Sequence, residues 1–342
     1  MKKIFFLVKV LVLSTCVLTL TTACGDDEEI TPEVINSDAS KLVDLDGNPY
    51  RLYGYDNNTY SYNEDGQLIG WTFGGYYNDR AVQYKGGKYV FTRQVGDEGV
   101  ETTEMSFSLN KNGYVTNAYI EATEDYGENS KDNEQSSISF TYDSAGQLTG
   151  YKGSVKAIEE EDGDKSTANV DFNCTFTWKN GNMEKAVYKA TLKISGTEDG
   201  EKYNYTSKVT ETHEYEYGSV PNPLRQMPWC LTRPFEIDDV TDGAMEELPM
   251  TGIFGKGPSY LPVKRTRISE EIEDGDEIDR DTYTYDVNIK LNANGTIATE
   301  NGNKYYYSPV ASSNQSTKTV KANNQLRGIK KLLARHGHYK AK

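Results

Sequence analysis

The sequence predicts an all-β protein: a large, strongly curved antiparallel up-and-down meander or incomplete barrel of about 15 strands, with one long irregular insertion. Three observations predict it. Long stretches alternate apolar with polar residues, one glycine-closed turn recurs five times, and a second, acidic kind of turn falls between those repeats.

The alternation is clearest at Tyr203, Tyr205, Val209, His213, Tyr215 and Tyr217, and again at Ala186, Tyr188, Ala190, Leu192 and Ile194. Mostly polar residues, several of them charged, fill the intervening positions, which gives each strand one apolar and one wet face. A sheet of this many strands cannot stay flat, because its twist accumulates and curls it. The charged outward positions argue against a barrel that spans a membrane, whose outer band is apolar.

The recurrent turn runs from an aromatic or apolar strand end through a polar loop to Gly, with an apolar residue two positions later. It occurs at Tyr60 to Leu68, Phe107 to Val115, Phe140 to Leu148, Phe176 to Met183 and Ile289 to Ile297, closing on Gly66, Gly113, Gly146, Gly181 and Gly295. Gly at that point supplies the positive φ of a short hairpin, commonly a type I turn with a bulge. Acidic turns lie between, at 96–99, 121–134, 159–164, 198–200 and 273–276. Strands running up and down in order place all glycine hairpins, with Lys85-Gly86-Gly87, at one edge and all acidic turns at the other. This sorting holds if residues 218–263 form one long connection on the glycine edge.

The flanking segments set the domain plan. Residues 1–23 read as a secretory leader: Lys2 and Lys3, an apolar stretch from Ile4 to Leu20 broken by Lys9, then Thr21-Thr22-Ala23 before Cys24. The stretch after Lys9 is too short to span a bilayer. Cleavage at Ala23-Cys24 resembles the lipobox of bacterial lipoproteins, which implies acylation of Cys24 and a membrane partner reached through acyl chains. Residues 24–41 form an acidic tether, and Asp26-Asp27-Glu28-Glu29 resembles the export signal of surface lipoproteins in the Bacteroidota. The expected address is the outer membrane, lipid-anchored and facing outward, with the periplasmic leaflet as the alternative. The β domain spans 42–309 with its insertion at 218–263. Residues 310–342 form a basic tail, helical or disordered, in which Leu326, Ile329, Leu332 and Leu333 share a helical stripe among Arg327, Lys330, Lys331 and Arg335. The tail suits an anionic surface or the acidic body.

Charge narrows the partners. Discounting the three leader lysines and the eight basic residues of 318–342 from a net charge of −15 leaves residues 25–317 near −26. A body this acidic repels phosphate backbones, which argues against nucleic acid. Cys16 leaves with the leader, so Cys174 and Cys230 remain. An oxidising compartment lets them pair, while a free Cys174 packs well beside Val170, Phe172, Phe176 and Trp178. Both alternatives stand.

The phrase Phe140-Thr-Tyr-Asp-Ser-Ala-Gly-Gln-Leu-Thr-Gly-Tyr151 resembles the tyrosine-aspartate hairpin repeats of large extracellular bacterial proteins. With the lipobox, Pro221-Asn222-Pro223 and the stretch Gly255-Lys256-Gly257-Pro258-Ser259-Tyr260-Leu261-Pro262, the chain is similar to Bacteroidota lipoproteins classed as a domain of unknown function with a porin-like fold. That resemblance implies a fold over roughly residues 42–309 and no activity. Asp143-Ser144-Ala145 further resembles an O-glycosylation site of exported Bacteroidota proteins, making Ser144 a candidate acceptor.

No catalytic constellation emerges. The histidines are His213, on an apolar strand face, and His336 and His338 in the tail; nucleophile elbow, zinc spacing and phosphate loop are missing. Asp44, Asp46 and Asn48 form a weak calcium candidate, against the simpler reading of turn chemistry. No cofactor is implied. The expected function is a non-enzymatic structural or protein-interaction role at the envelope. Capture of a glycan or other extracellular ligand by an aromatic-rich sheet face is the alternative, since 26 tyrosines supply amphipathic rings.

Overall fold

The computed structural model describes residues 42–43, 49–73, 80–95, 99–125, 130–161, 164–198, 201–222, 248–273 and 276–309. The leader, Cys24, the tether, the tail, Cys230 and the calcium candidates Asp44, Asp46 and Asn48 lie outside them. The described residues are all-β. In chain order the strands are β1 (Leu42–Val43), β2 (Pro49–Tyr55), β3 (Asn58–Tyr62), β4 (Leu68–Phe73), β5 (Arg80–Lys85), β6 (Lys88–Val95), β7 (Gly99–Leu109), β8 (Val115–Asp125) and β9 (Ser130–Tyr142). They continue as β10 (Leu148–Glu161), β11 (Asp164–Lys179), β12 (Asn182–Glu198), β13 (Glu201–Pro221), β14 (Tyr260–Glu273), β15 (Asp276–Asp286), β16 (Ile289–Leu291), β17 (Ile297–Glu300) and β18 (Asn303–Pro309). The count exceeds the expected 15, with β1, β16 and β17 each only two to four residues long. The insertion is also narrower than 218–263, since β13 runs to Pro221 and β14 begins at Tyr260.

Every pairing is antiparallel, and each strand from β2 to β14 pairs with the next. On its other side β2 pairs with β18, which pairs with β17, which pairs with β16. The run therefore starts at β15 and ends at β16, and no register pairing joins those two strands. They are nevertheless consecutive in the chain. Val287 N donates to Val263 O beside β14, while Asn288 O accepts from Asn301 N beside β17. The sheet thus curls until its two ends adjoin at two residues, an incomplete barrel rather than a ring of ladders.

The inner face carries one apolar core. On β11 the residues Ala168, Val170, Phe172, Cys174 and Phe176 are buried while Asp171, Asn173, Thr175 and Thr177 are exposed. The long strands β10 to β14 bury this stripe against one another's neighbours, with Tyr151 edge-on to Phe172 and Phe140 against Phe254 at 4.9 Å.

The five predicted hairpins all close as expected. Their glycines have φ between 78° and 84°. In four of them a first-position Asx residue donates its amide to the carbonyl four residues on and accepts the Gly amide, as at Asn63, Asn110, Asp143 and Asn292. A register shift follows in each ladder, so the turn carries a bulge. The apolar residue two positions after Gly is driven into the core: Leu68, Val115, Leu148 and Met183 are fully buried, and Ile297 nearly so. At the bulge the ladder is interrupted, and a carbonyl there needs another donor. Four aromatic tips supply it. Tyr89 Oη donates to Leu68 O at 2.6 Å, Tyr142 Oη to Val115 O at 2.7 Å, Trp178 Nε1 to Leu148 O at 2.7 Å, and Tyr217 Oη to Met183 O at 2.8 Å.

The described end of the insertion lies under the same hairpins. A 3-10 turn at Leu248–Thr251 precedes an extended strap. Ile253 O accepts from Val115 N, Lys256 N donates to Gly146 O and Ser259 N donates to Gly181 O, so positions 253, 256 and 259 touch three successive hairpins. Ile253 and Phe254 are fully buried, which plugs the glycine edge. Gly255 sits at φ 97°, and a Cβ there would lie 2.6 Å from Gly146 O. The Gly255 to Pro262 stretch noted in the sequence therefore has a packing role.

Replacing Tyr89 by Phe keeps the ring and strands a buried carbonyl. The expected loss is about 1–3 kcal/mol in urea unfolding. A change within about 0.5 kcal/mol, the range of a neutral surface substitution, would sink the capping role.

Candidate functional site

The candidate site lies on the inner face where β13, β14 and β15 run side by side. Directly opposed residues of an antiparallel pair share a face. Register therefore sets Tyr215, Arg265 and Tyr285 in one row, His213, Arg267 and Tyr283 in the next, and Glu211, Ser269 and Asp281 in a third.

Charged side chains link these rows diagonally. Arg267 grips Glu211 with both arms, Nε to Oε1 at 2.7 Å and Nη2 to Oε2 at 3.1 Å. Glu211 Oε1 also lies 2.6 Å from His213 Nε2, off the line of an ideal hydrogen bond. On the other ring nitrogen, Arg265 Nε and Nη2 approach His213 Nδ1 at 3.0 and 2.6 Å. A guanidinium can only donate, so Nδ1 must carry the lone pair, which assigns the proton to Nε2 facing Glu211. Burial pushes the His213 imidazole below its ordinary value; the Glu211 contact opposes this and the Arg265 charge adds to it. The ring is neutral at pH 7. Burial alone would raise the Glu211 carboxyl, but His213 and Arg267 outweigh it and hold it below the usual range.

Arg265 spans to the far end of the curl. Its guanidinium lies 5.8 Å from the Tyr215 ring centroid and 5.7 Å from that of Tyr285. Its charge also reaches Glu300 on β17, across the joint between β15 and β16. Glu300 is buried and accepts the Tyr305 hydroxyl at 2.8 Å. Burial raises its carboxyl to about 7, against the opposing pull of Tyr305 and Arg265.

Above this buried layer residues 279–286 of β15 are wet on both faces. Tyr283 is 55% exposed and Tyr285 39%, although both share the inner face with buried Arg265. Tyr283 Oη donates to Asp281 Oδ2 at 3.3 Å. The inner face thus opens here onto solvent, with two aromatic rings standing over a braced layer of charge.

A second polar row crosses the inner face nearer the acidic edge. Glu101, Glu124, Asp132 and Glu159 are opposed in turn across β7 to β10. Glu101 is paired with Arg93 at 2.5 Å, and Ser166 Oγ donates to Glu159 at 3.3 Å. Strung along strands about 4.8 Å apart, these carboxylates do not converge. Among the described residues no group of three or more His, Cys, Asp or Glu side chains is arranged to hold a metal.

Of the residues singled out from sequence, His213 is a fully buried core residue. Cys174 is a free thiol, 1% exposed, whose burial drives its pKa far above the ordinary value. Cys230 lies outside the described residues. Ser144 is exposed at the tip of the β9–β10 hairpin, flanked by Asp143, whose Oδ1 accepts from Ala145 N and Gln147 N. Sequence reasoning missed Arg265, Arg267 and Glu300. The available signal was two arginines spaced two apart on one strand, which places both on one face.

Glu300 offers a pH test. Its pKa is raised in the folded state, so its carboxyl contributes stability that is present below its ordinary value of 4.5 and lost as pH rises through about 7. Glu300→Gln keeps an acceptor for Tyr305 without the charge. It is expected to gain about 2–3 kcal/mol relative to the native chain at pH 8 and little at pH 4. Melting curves at both values check this; a gain independent of pH would remove the buried-carboxyl account.

No family model and no curated protein matches the chain. Among solved structures, the chain has weak similarity to a porin-like protein from Bacteroides vulgatus ATCC 8482, at 13% identity and a TM-score of 0.33, covering 80% of this chain and 99% of that one. A porin-like protein from Bacteroides uniformis ATCC 8492 also has 13% identity, with a TM-score of 0.20 and coverage of 64% and 95%.

Proposed function

We propose that this is a lipid-anchored, outward-facing envelope protein that works by capture rather than by chemistry, holding an extracellular glycan or similar ligand on the open inner face at β15. The observation that carries the reading is the pair Tyr283 and Tyr285, exposed on the face that elsewhere holds the core. Rigid rings over a braced base suit stacking on a sugar. Glu211 and His213 support binding over catalysis, because both carboxylate oxygens and both ring nitrogens face partners inside the cluster. The leader and Cys24 supply the address.

A protein-interaction role is the second reading. Among the described residues β15 has a register partner on one side only, and it carries Asp279, Asp281 and Asp286 with Arg280. Such an edge offers main-chain groups to an extended partner strand.

The full chain in detergent, applied to a glycan array, is expected to bind a restricted set of glycans, and Tyr283→Ser with Tyr285→Ser to lose about tenfold or more, the worth of roughly 1.4 kcal/mol of stacking. A blank array sinks the glycan reading and leaves the strand-edge one. Protease shaving of intact cells should remove the protein, and Cys24→Ala should release it from the membrane fraction. Protection from the protease would place it on the periplasmic leaflet.

A further inference from the structure

Arg265 is 6% exposed. A buried guanidinium ordinarily lies against a carboxylate, because desolvating a cation without a counter-charge is expensive. Arg265 instead spends Nε and Nη2 on the neutral imidazole of His213 and rests against Tyr215 and Tyr285. The neighbouring carboxylates are otherwise engaged. Glu211 is gripped by Arg267, and Glu300 takes the Tyr305 hydroxyl. Arg267, two positions away on the same face, has a side chain 28% exposed beside Tyr283. This end of the face thus has two guanidiniums under two open rings, with Glu211 gripped by Arg267 and Glu300 coupled to Arg265 only at a distance.

The opposite end of the same patch is acidic. Asp281 takes the Tyr283 hydroxyl, and Asp279 is exposed one inward position further along β15. The patch is polar along its length: cations, rings, then carboxylates. An acid group is attracted to one end only, and the carboxylates at the other end accept hydroxyls.

Building on the capture reading above, we infer that the ligand is an acidic saccharide whose anionic group docks against Arg265 and Arg267 while a sugar ring lies on Tyr283 and Tyr285. Both carboxylate and sulfate fit a guanidinium pair. The anionic group supplies a direct carboxylate or sulfate contact in place of the neutral His213 imidazole that Arg265 now meets, and the two tyrosines supply area with little side-chain entropy to lose. Asp281 and Asp279 fix the direction in which the chain lies.

The test titrates the full chain in detergent with matched pairs: an oligogalacturonate against its carboxyl-reduced form, and a sulfated galactan oligosaccharide against its desulfated form. The expected result is binding at least tenfold tighter for one acidic member than for its neutral counterpart, weakening as salt rises. Which pair responds identifies the acid group. Arg265→Gln should erase the difference between acidic and neutral members. If that variant fails to fold, the exposed-ring double variant Tyr283→Ser with Tyr285→Ser must lower the affinity of the acidic member. Equal binding of acidic and neutral members overturns the acidic assignment while capture stands. Binding of none of the four overturns both. Acidic preference that survives in folded Arg265→Gln, or an affinity for the acidic member that the tyrosine variant leaves unchanged, overturns the assignment to this patch.

Discussion

The architecture depends on one small interaction made four times: an aromatic hydroxyl or indole N–H reaching the carbonyl of the residue two positions after a hairpin glycine. The glycine sets a left-handed turn, the turn forces a bulge, and the bulge interrupts the ladder. Burying the next apolar residue would strand a carbonyl in the core at a cost of about 1–3 kcal/mol. Tyr89, Tyr142, Trp178 and Tyr217 remove that cost and tie each hairpin to a later strand. Part of the tyrosine richness of the chain is explained in this way, as neither sugar stacking nor simple core filling.

The strap and the joint at Val287 and Asn288 complete the curl. The strap bonds to three successive hairpins and fills the glycine edge with Ile253 and Phe254. The joint brings β14 and β17 to either side of one stretch of chain, so that Arg265 and Glu300 feel each other across it. Long strands from β7 to β15 face short ones from β16 to β5, and the inner face is consequently closed at one edge and wet along β15.

Much of the fold was legible in the sequence because its determinants are local. A glycine at positive φ, an Asx before it and an apolar residue after it all lie within a few positions, and period-2 alternation needs only a single strand. The candidate site was not legible in this way. Arg265 meets His213 across 52 residues and a connection whose end point the sequence does not fix. Shifting the register of β14 by one residue would turn both arginines outward. His213 was recognised as a core residue, but its partners depended on that register. The capping role of Tyr142 and Trp178 was hidden too, since a tyrosine on an apolar face looks the same whether or not its hydroxyl has an acceptor.

The insertion enters and leaves the sheet at a clamp. Asn222 N donates to Ser259 O and Asn222 Nδ2 to Pro258 O, so its two ends are fastened to each other before the chain rejoins β14. The clamp fixes the start of the β13–β14 pairing from residues on either side of the insertion, which makes this neck a practical point at which to graft a foreign segment.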